Sequence, residues 1–323
     1  MQRDLLRCPR ELPGMTRPRL GRPDLQRIGI GFDVPSATDG LAVTFAGVST
    51  LLVSDGSSAV LFDGFFSRPS LRTVAFGKLS PNGERIDAAL ERLGLHDRLR
   101  PRVEAVIPVH SHYDHAQDSA EVARRTGSHL IGGSSTANLG RGAGLAPERI
   151  RTVASGDRVE LGPFTLEFIA TTHCPPDRYP GTIDEPVTPP VRTSAYRCGE
   201  AWSIRLTHVT GRTALIQGSA GYVESALDGW KADVVYLGVG QLGHQSASYV
   251  DTYWDQTVRT VGARRVVLTH WDNFFRPLSS PLQALPYAVD DLDRTARRLG
   301  GIAAVDGVSL HMPALWRRED PWV

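Results

Sequence analysis

One short segment, residues 110–115 with the sequence His-Ser-His-Tyr-Asp-His, constrains this chain more than any other feature. It directly follows an apolar stretch that predicts a buried strand. Residues two apart in an extended chain project to the same side, so His110 and His112 can converge on one ion. After a turn, Asp114 and His115 can face a second ion beside the first. Imidazole nitrogens with one carboxylate oxygen suit Zn²⁺, and also Mn²⁺ or Fe²⁺, so we expect one or two such ions, zinc first.

Two simpler explanations of this segment are less convincing. The chain has ten histidines, and three of them fall within these six residues together with an aspartate, which disfavours a chance cluster. Structural zinc sites usually close a small fold with cysteine-rich tetrahedral ligands. A chain of 323 residues with three cysteines fits that description poorly.

The composition is that of an ordinary globular protein. Hydrophobic residues make up 41% and charged residues 22%, and the formal net charge is +1. This balance gives no electrostatic case for nucleic acid or a membrane surface, and no apolar run is long enough to span a bilayer. We therefore expect a small-molecule substrate, no nucleic acid and no stable membrane insertion, while the oligomeric state stays open. The basic residues are nearly all arginine, which indicates a GC-rich, bacterial genome.

The chain divides into two parts of different character. Residues 1–30 are predicted to be an extended leader rich in Arg and Pro, and residues 31–323 a single domain. Because the leader lacks an apolar signal-peptide core, a cytoplasmic location is expected. An exported or lipid-anchored form is the alternative, since Cys8 follows a short Leu-Leu-Arg sequence. The three cysteines predict no disulfide framework, although a bridge between Cys174 and Cys198 is an open alternative.

The hydrophobic patterns predict strands interspersed with helices in both halves of the chain. Such an order favours two packed sheets with helices outside them, an α/β (α+β) fold, over one doubly wound sheet. Predicted strands cover residues 41–45, 50–53, 59–62, 103–109, 164–169, 203–208, 213–216, 234–237 and 266–268; predicted helices cover 85–93, 116–125, 249–261 and 289–299.

A proline-rich segment at 174–198 interrupts this pattern. Its prolines cannot lie in a helix or a central strand, so it is predicted to be a long loop insertion. Long loops in compact domains often cover functional sites, and a plain surface insertion is an equally good interpretation.

The pattern His110-x-His112-x-Asp114-His115 resembles the signature of the metallo-β-lactamase superfamily. The resemblance extends from about residue 41 to residue 275 and implies that family's four-layer αββα sandwich. It further implies that Asp63, at a strand end, supports the metal loop from behind, and that His173 and His270 complete the ligand set. His173 would join His110 and His112, and His270 would join Asp114 and His115. The run His270-Trp271-Asp272-Asn273-Phe274 is most similar to the branch of ascorbate-phosphate lactonases and the phospholipase D that cleaves N-acyl-phosphatidylethanolamine.

One position departs from the family pattern. Ser219 stands where the family usually has an aspartate that bridges both metals, and a neutral hydroxyl is a far poorer ligand than a carboxylate. The remaining set resembles the true β-lactamases whose second zinc is held by Asp and two His. The departure counts against functions that depend on the bridging aspartate, such as RNA 3′-end nucleases, and it weakens the second site.

A few further residues are candidates for substrate contact. His244 follows a Gly-rich turn in the half where the family's loops border the pocket, so it is either a catalytic residue or an ordinary loop residue. Four aromatic residues beside the ligands either wall an apolar pocket or belong to the core, namely Tyr113, Trp271, Phe274 and Phe275.

The leading hypothesis is a metal-dependent hydrolase of an ester, lactone or amide. In it, Asp114 orients the nucleophile and handles its proton, and Ser219 donates a hydrogen bond. The first alternative is a phosphodiester or phospholipid hydrolase, favoured by His270-Trp271 and opposed by Ser219. The alternative of another class is a catalytically inactive metal-binding protein or an iron redox protein.

Overall fold

The computed structural model describes residues 20–96 and 101–323. The first nineteen residues of the predicted leader, Cys8 among them, lie outside the described residues. Of the rest of that leader, Ile28 is buried and packs into the main hydrophobic core.

Two sheets form the centre of the described structure. The first has the strand order β14-β1-β2-β3-β4-β5-β6 and the second β13-β12-β11-β10-β9-β8-β7. The first sheet contains β1 (Ala42–Phe45), β2 (Leu51–Ser54), β3 (Ser58–Phe62), β4 (Arg102–Ile107), β5 (His129–Gly132), β6 (Ile150–Thr152) and β14 (Arg318–Glu319). The second contains β7 (Arg158–Leu161), β8 (Phe164–Thr171), β9 (Ala201–His208), β10 (Thr213–Gln217), β11 (Val234–Gly238), β12 (Arg265–Thr269) and β13 (Ser309–His311).

Helices cover the outer faces of both sheets. They are α1 (Leu71–Phe76), α2 (Gly83–Arg92), α3 (Tyr113–Ala116), α4 (Ser119–Thr126), α5 (Ser134–Gly142), α6 (Ala247–Trp254) and α7 (Leu292–Asp306). Shorter turns lie at Pro147–Arg149, Thr193–Ala195 and Leu242–His244, and a π-helical turn at Asp255–Arg259 continues α6.

Strand β3 shows how the layers are built. Val60 and Phe62 belong to the core between the two sheets, whereas Ala59 and Leu61 belong to a second core that includes apolar residues of α2 and α4. Side chains alternate between faces with a period of two, so a strand that is apolar throughout is buried on both sides. The expected four-layer αββα sandwich is confirmed.

Strand direction places the loops that carry the candidate ligands. In the first sheet, β3, β4, β5 and β6 run parallel; in the second, β10, β11 and β12 do. Strand β8 shares the direction of β10, because both pair antiparallel with β9. In open α/β sheets, the crevice at the carboxyl ends of such strands is the usual ligand site. The ligand-bearing loops follow β4, β8 and β12 at these ends.

The helix predicted over 116–125 was wrong in its start and its continuity. The chain forms α3 and then α4, with a break at residues 117 and 118. At the break, the fully buried carboxylate of Asp118 accepts hydrogen bonds from the backbone amides of Phe66 and Ser67 and from the Ser67 hydroxyl. This tertiary contact, which helical periodicity does not reveal, fixes the chain at the break. No helix in residues 20–96 and 101–323 has the length and apolar character required to cross a membrane.

Candidate metal centre

The six predicted ligands lie in two neighbouring groups. One group is His110, His112 and His173, and the other is Asp114, His115 and His270; within each group, the candidate ligand atoms lie within 4.8 Å of one another. The groups adjoin, since the ring centroids of His110 and His115 are 4.0 Å apart.

The first group comes from the ends of β4 and β8. His110 Nε2 lies 3.1 Å from His112 Nδ1, and the ring of His173 lies 4.7 Å, centroid to centroid, from that of His112. His173 Nδ1 lies 2.7 Å from the carbonyl oxygen of Cys174, which leaves its Nε2 as the free ring nitrogen. Three ring nitrogens therefore face one point, as a single ion requires.

The second group, like the first, combines residues from the two sheets. His270 Nε2 lies 3.2 Å from His115 Nε2 and 3.3 Å from the Oδ2 of Asp114. His270 follows β12 in the second sheet, whereas the other two residues follow β4 in the first. The backbone amide of His270 donates to the carbonyl of Val48 at 2.6 Å, which ties the β12 loop to the first sheet.

Asp63 occupies the supporting position that was expected for it. Its Oδ2 lies 2.7 Å from Nδ1 of His115, its Oδ1 accepts the amide of Val109, and its carbonyl accepts the Ser119 hydroxyl. Histidine ligands commonly give their second N–H to a carboxylate, which sets the tautomer. With Nδ1 of His115 committed to Asp63, Nε2 carries the lone pair toward Asp114 and His270.

The site's electrostatics favour the metal-binding forms of His110, His173 and Asp114. Burial and the neighbouring His115 hold the pKa of His110 well below its usual range, and burial lowers that of His173 to about 4. Both imidazoles are therefore neutral at pH 7. Burial opposes ionisation of Asp114, but His115 and the hydrogen bond with His270 outweigh it and lower the pKa of that carboxyl. His270 itself has a raised pKa, because its bond with Asp114 outweighs burial.

A comparison with known protein families finds a match that includes most of the candidate ligands. Residues 43–200 match the Metallo-beta-lactamase superfamily model, a range that includes His110 to His115 and His173 but ends before His270. The matched stretch, just under half of the chain, is similar to the metallo-β-lactamase superfamily. No curated protein sequence matches the chain.

Solved structures share the fold of this chain at low sequence identity. A protein described as a possible metal-dependent hydrolase from Veillonella parvula is 15% identical with a TM-score of 0.53, over 87% of this chain and 99% of its own. CmlA, a diiron β-hydroxylase from Streptomyces venezuelae, is 12% identical with a TM-score of 0.51. The match covers 87% of this chain but 54% of CmlA, so the chain spans about half of that protein. These similarities establish the fold, whereas the reaction has to be inferred from the residues of the site.

The proline-rich loop at 174–198 forms part of the site wall. The carboxylate of Asp177 lies 3.2 Å from Nε2 of His112, and Arg178 and Tyr179 line the cavity beside the two ligand groups. Sequence reasoning missed Asp177, whose position within an irregular loop carries no periodic signal. The loop is thus more than a plain surface insertion.

Ser219 and His244 take different places. Ser219 lines the cavity, and its Oγ accepts the amide of Cys174 at 3.0 Å. His244 is exposed in the turn Leu242–His244 and is not among the cavity-lining residues, whereas Gln241 from the start of that turn is. The catalytic role predicted for His244 stays a prediction that its position does not support.

The cavity beside the ligands measures about 310 Å³ and has a largely apolar wall. Of the four candidate aromatic residues, Tyr113, Phe274 and Phe275 line it. Trp271 instead is buried in the main core, where it packs against Phe45. Cys174 and Cys198 are free thiols, so the alternative of a bridge between them was wrong.

Proposed function

We propose that this protein is a dinuclear metal-dependent hydrolase, most naturally a zinc enzyme, that cleaves an ester, lactone or amide. The observation that carries the proposal is the pair of ligand groups at one cavity, three imidazoles beside two imidazoles and a carboxylate. The donor set fits the ions, because five imidazoles and one carboxylate suit zinc, and the lowered pKa values of His110 and His173 keep those two rings neutral at pH 7. Ions held by these groups would sit roughly 3.5–4 Å apart, as in two-metal hydrolytic sites generally.

Bound ions of this kind supply Lewis acidity at a carbonyl oxygen and make water acidic enough to act as a nucleophile near pH 7. The chain's own residues do the rest. Asp114, ionised at neutral pH, orients the attacking water through a carboxylate oxygen and accepts its proton. Ser219 uses its oxygen to accept from Cys174, so its O–H is free to donate toward substrate.

Carbonyl substrates are preferred over phosphodiesters because of Ser219. A bridging carboxylate at that position would strengthen the second site, and the serine hydroxyl that lines the cavity there cannot supply that charge. Proteins of similar fold include one described as a possible metal-dependent hydrolase and a diiron β-hydroxylase, so metal analysis decides between zinc and iron.

Metal analysis of the purified protein, followed by a panel of chromogenic substrates, tests the proposal. We expect between one and two equivalents of zinc per chain and hydrolysis of an ester or lactone, but not of a phosphodiester. His110→Ala should remove metal from the first group and abolish hydrolysis, and His129→Ala, a histidine outside the cavity, should change neither. Full activity in a metal-free preparation would refute the proposal.

A further inference from the structure

The cavity has a strongly asymmetric lining. Four of the six candidate ligands form one part of it, and apolar side chains form most of the remainder, among them Val74, Ala75, Phe274, Phe275 and Leu285. The apolar part begins directly at the ligands, because the ring of Phe274 lies 5.8 Å from that of His270. A substrate that reaches the ligands must therefore also contact this wall.

Helix α1 supplies one side of the wall and is largely exposed. None of its six residues is buried, and Leu71 and Phe76 are 57% and 80% exposed. The helix is nevertheless held in place, since Ser70 caps its first turn and the Thr193 hydroxyl donates to the carbonyl of Val74. Val74 is half-buried and packs against the cluster of Phe65 and Tyr113, whereas Leu71 and Ala75 line the cavity from exposed positions.

Arg178 is the one charged side chain that lines the cavity in the described part of the chain, apart from the candidate ligands. It is exposed, and no described acidic residue pairs with it, because the adjacent Asp177 is engaged with His112. A guanidinium left without a counter-charge beside an active site suits a carboxylate, which it can bind through two parallel hydrogen bonds.

We infer that the substrate is an amphiphilic carboxylate: an ester, lactone or amide with an apolar acyl or aryl group against the α1–Phe274 wall and a carboxylate at Arg178. The inference rests on the proposed hydrolase function and specifies its substrate class. The neutral carbonyl group would lie at the two ligand groups, between the apolar and the anionic ends.

The test uses the zinc-loaded protein and two series of aryl esters. In one series the phenol carries a carboxymethyl group and in the other a carbamoylmethyl group, so that charge changes while the reacting ester does not. Each series has acetyl, hexanoyl and octanoyl members. We expect kcat/KM to be about 10-fold or more higher for the carboxylate series and to rise from acetyl to octanoyl.

Matched variants locate the two effects. Arg178→Gln should remove the preference for the carboxylate, and Arg192→Gln, an exposed arginine of the same loop outside the cavity, should retain it. Leu71→Ser should flatten the chain-length dependence, and Phe76→Ser, an exposed position on the same helix but outside the cavity, should not. Equal rates for both series, or a preference unchanged in Arg178→Gln, would overturn the inference.

Binding of the matching ketones separates this inference from the hydrolase proposal. A methylene in place of the ester oxygen prevents cleavage, and calorimetry measures affinity directly. If no ester, lactone or amide is cleaved, the hydrolase proposal fails, but the ketones still decide the inference. Tighter binding of the carboxylate ketones that is lost in Arg178→Gln supports it. Equal binding of both ketone series contradicts it.

Discussion

At the scale of single residues, the site depends on partners that hold the ligands. His112 directs Nδ1 toward His110, and its other nitrogen, Nε2, lies 3.2 Å from Asp177 and 3.3 Å from the carbonyl oxygen of Tyr179. A carboxylate in this position fixes the tautomer of His112 and raises its basicity. Asp177 is thus a positioning residue that acts through His112.

Replacement of Asp177 should weaken the first metal. We expect Asp177→Ala to lower zinc affinity roughly 10-fold or more, and Asp177→Asn, which retains an acceptor, to lower it less. Competition with a chromophoric chelator measures the affinity. Asp184→Asn is the matched control, because Asp184 lies exposed in the same loop and bonds only to Thr182 among the described residues. Wild-type affinity in Asp177→Ala would show that the contact is incidental.

Ser219 offers a second residue-scale prediction. Ser219→Ala should leave zinc content unchanged, because a hydroxyl adds little to metal binding. It should lower the free energy of unfolding by about 1 kcal/mol, since the buried amide of Cys174 loses its acceptor. Denaturant titration and metal analysis of the same sample measure both. Loss of both ions in this variant would mean that Ser219 is a ligand.

At the scale of elements, a buried ion pair holds the loop that carries His270. Arg68 pairs with Asp272, and both side chains are fully buried. Asp272 also accepts the amide of Val48 at 2.7 Å, and the carbonyl of Val48 in turn accepts the amide of His270. His270 has a φ of 59°, a backbone conformation that a non-glycine residue keeps only when its surroundings enforce it.

Removal of this ion pair should affect stability and the second metal together. Asp272→Ala leaves the Arg68 charge buried and uncompensated, which costs about 3–5 kcal/mol. We expect the variant to have a correspondingly lower free energy of unfolding in urea. Its affinity for the second zinc should fall more than its affinity for the first. Asp251→Ala, which breaks the exposed pair with Arg298, should change neither. Similar effects of the two variants would show that the buried pair has no special role.

The elements also show how far the sequence could be interpreted. Strand patterns and the spacing of His110 to His115 predicted the sandwich and the first part of the site. Helix α5 was not predicted: it is rich in Gly and Ser, and Glu200, 66 residues from Ser134, caps its first amides. Arg178 and Asp177 were missed for the same physical reason, because their roles depend on long-range contacts of an irregular loop.

At the scale of the whole molecule, the packing of the two sheets brings the candidate ligands together. The loops after β4 and β8 bring the first group together, and the loop after β12 adds His270 to the second. Neither sheet alone holds both groups, so the centre exists only where the two sheets are packed together. The central claim is that these six residues bind two ions side by side.

Anomalous scattering from crystals of the zinc-loaded protein, recorded at the zinc absorption edge, tests this claim most directly. We predict two peaks roughly 3.5–4 Å apart. One should lie about 2.0–2.1 Å from nitrogens of His110, His112 and His173, and the other at about 2.0–2.2 Å from ligand atoms of Asp114, His115 and His270. A zinc-loaded crystal with no peak at either group, or with its peak bound by residues outside both, would contradict the account.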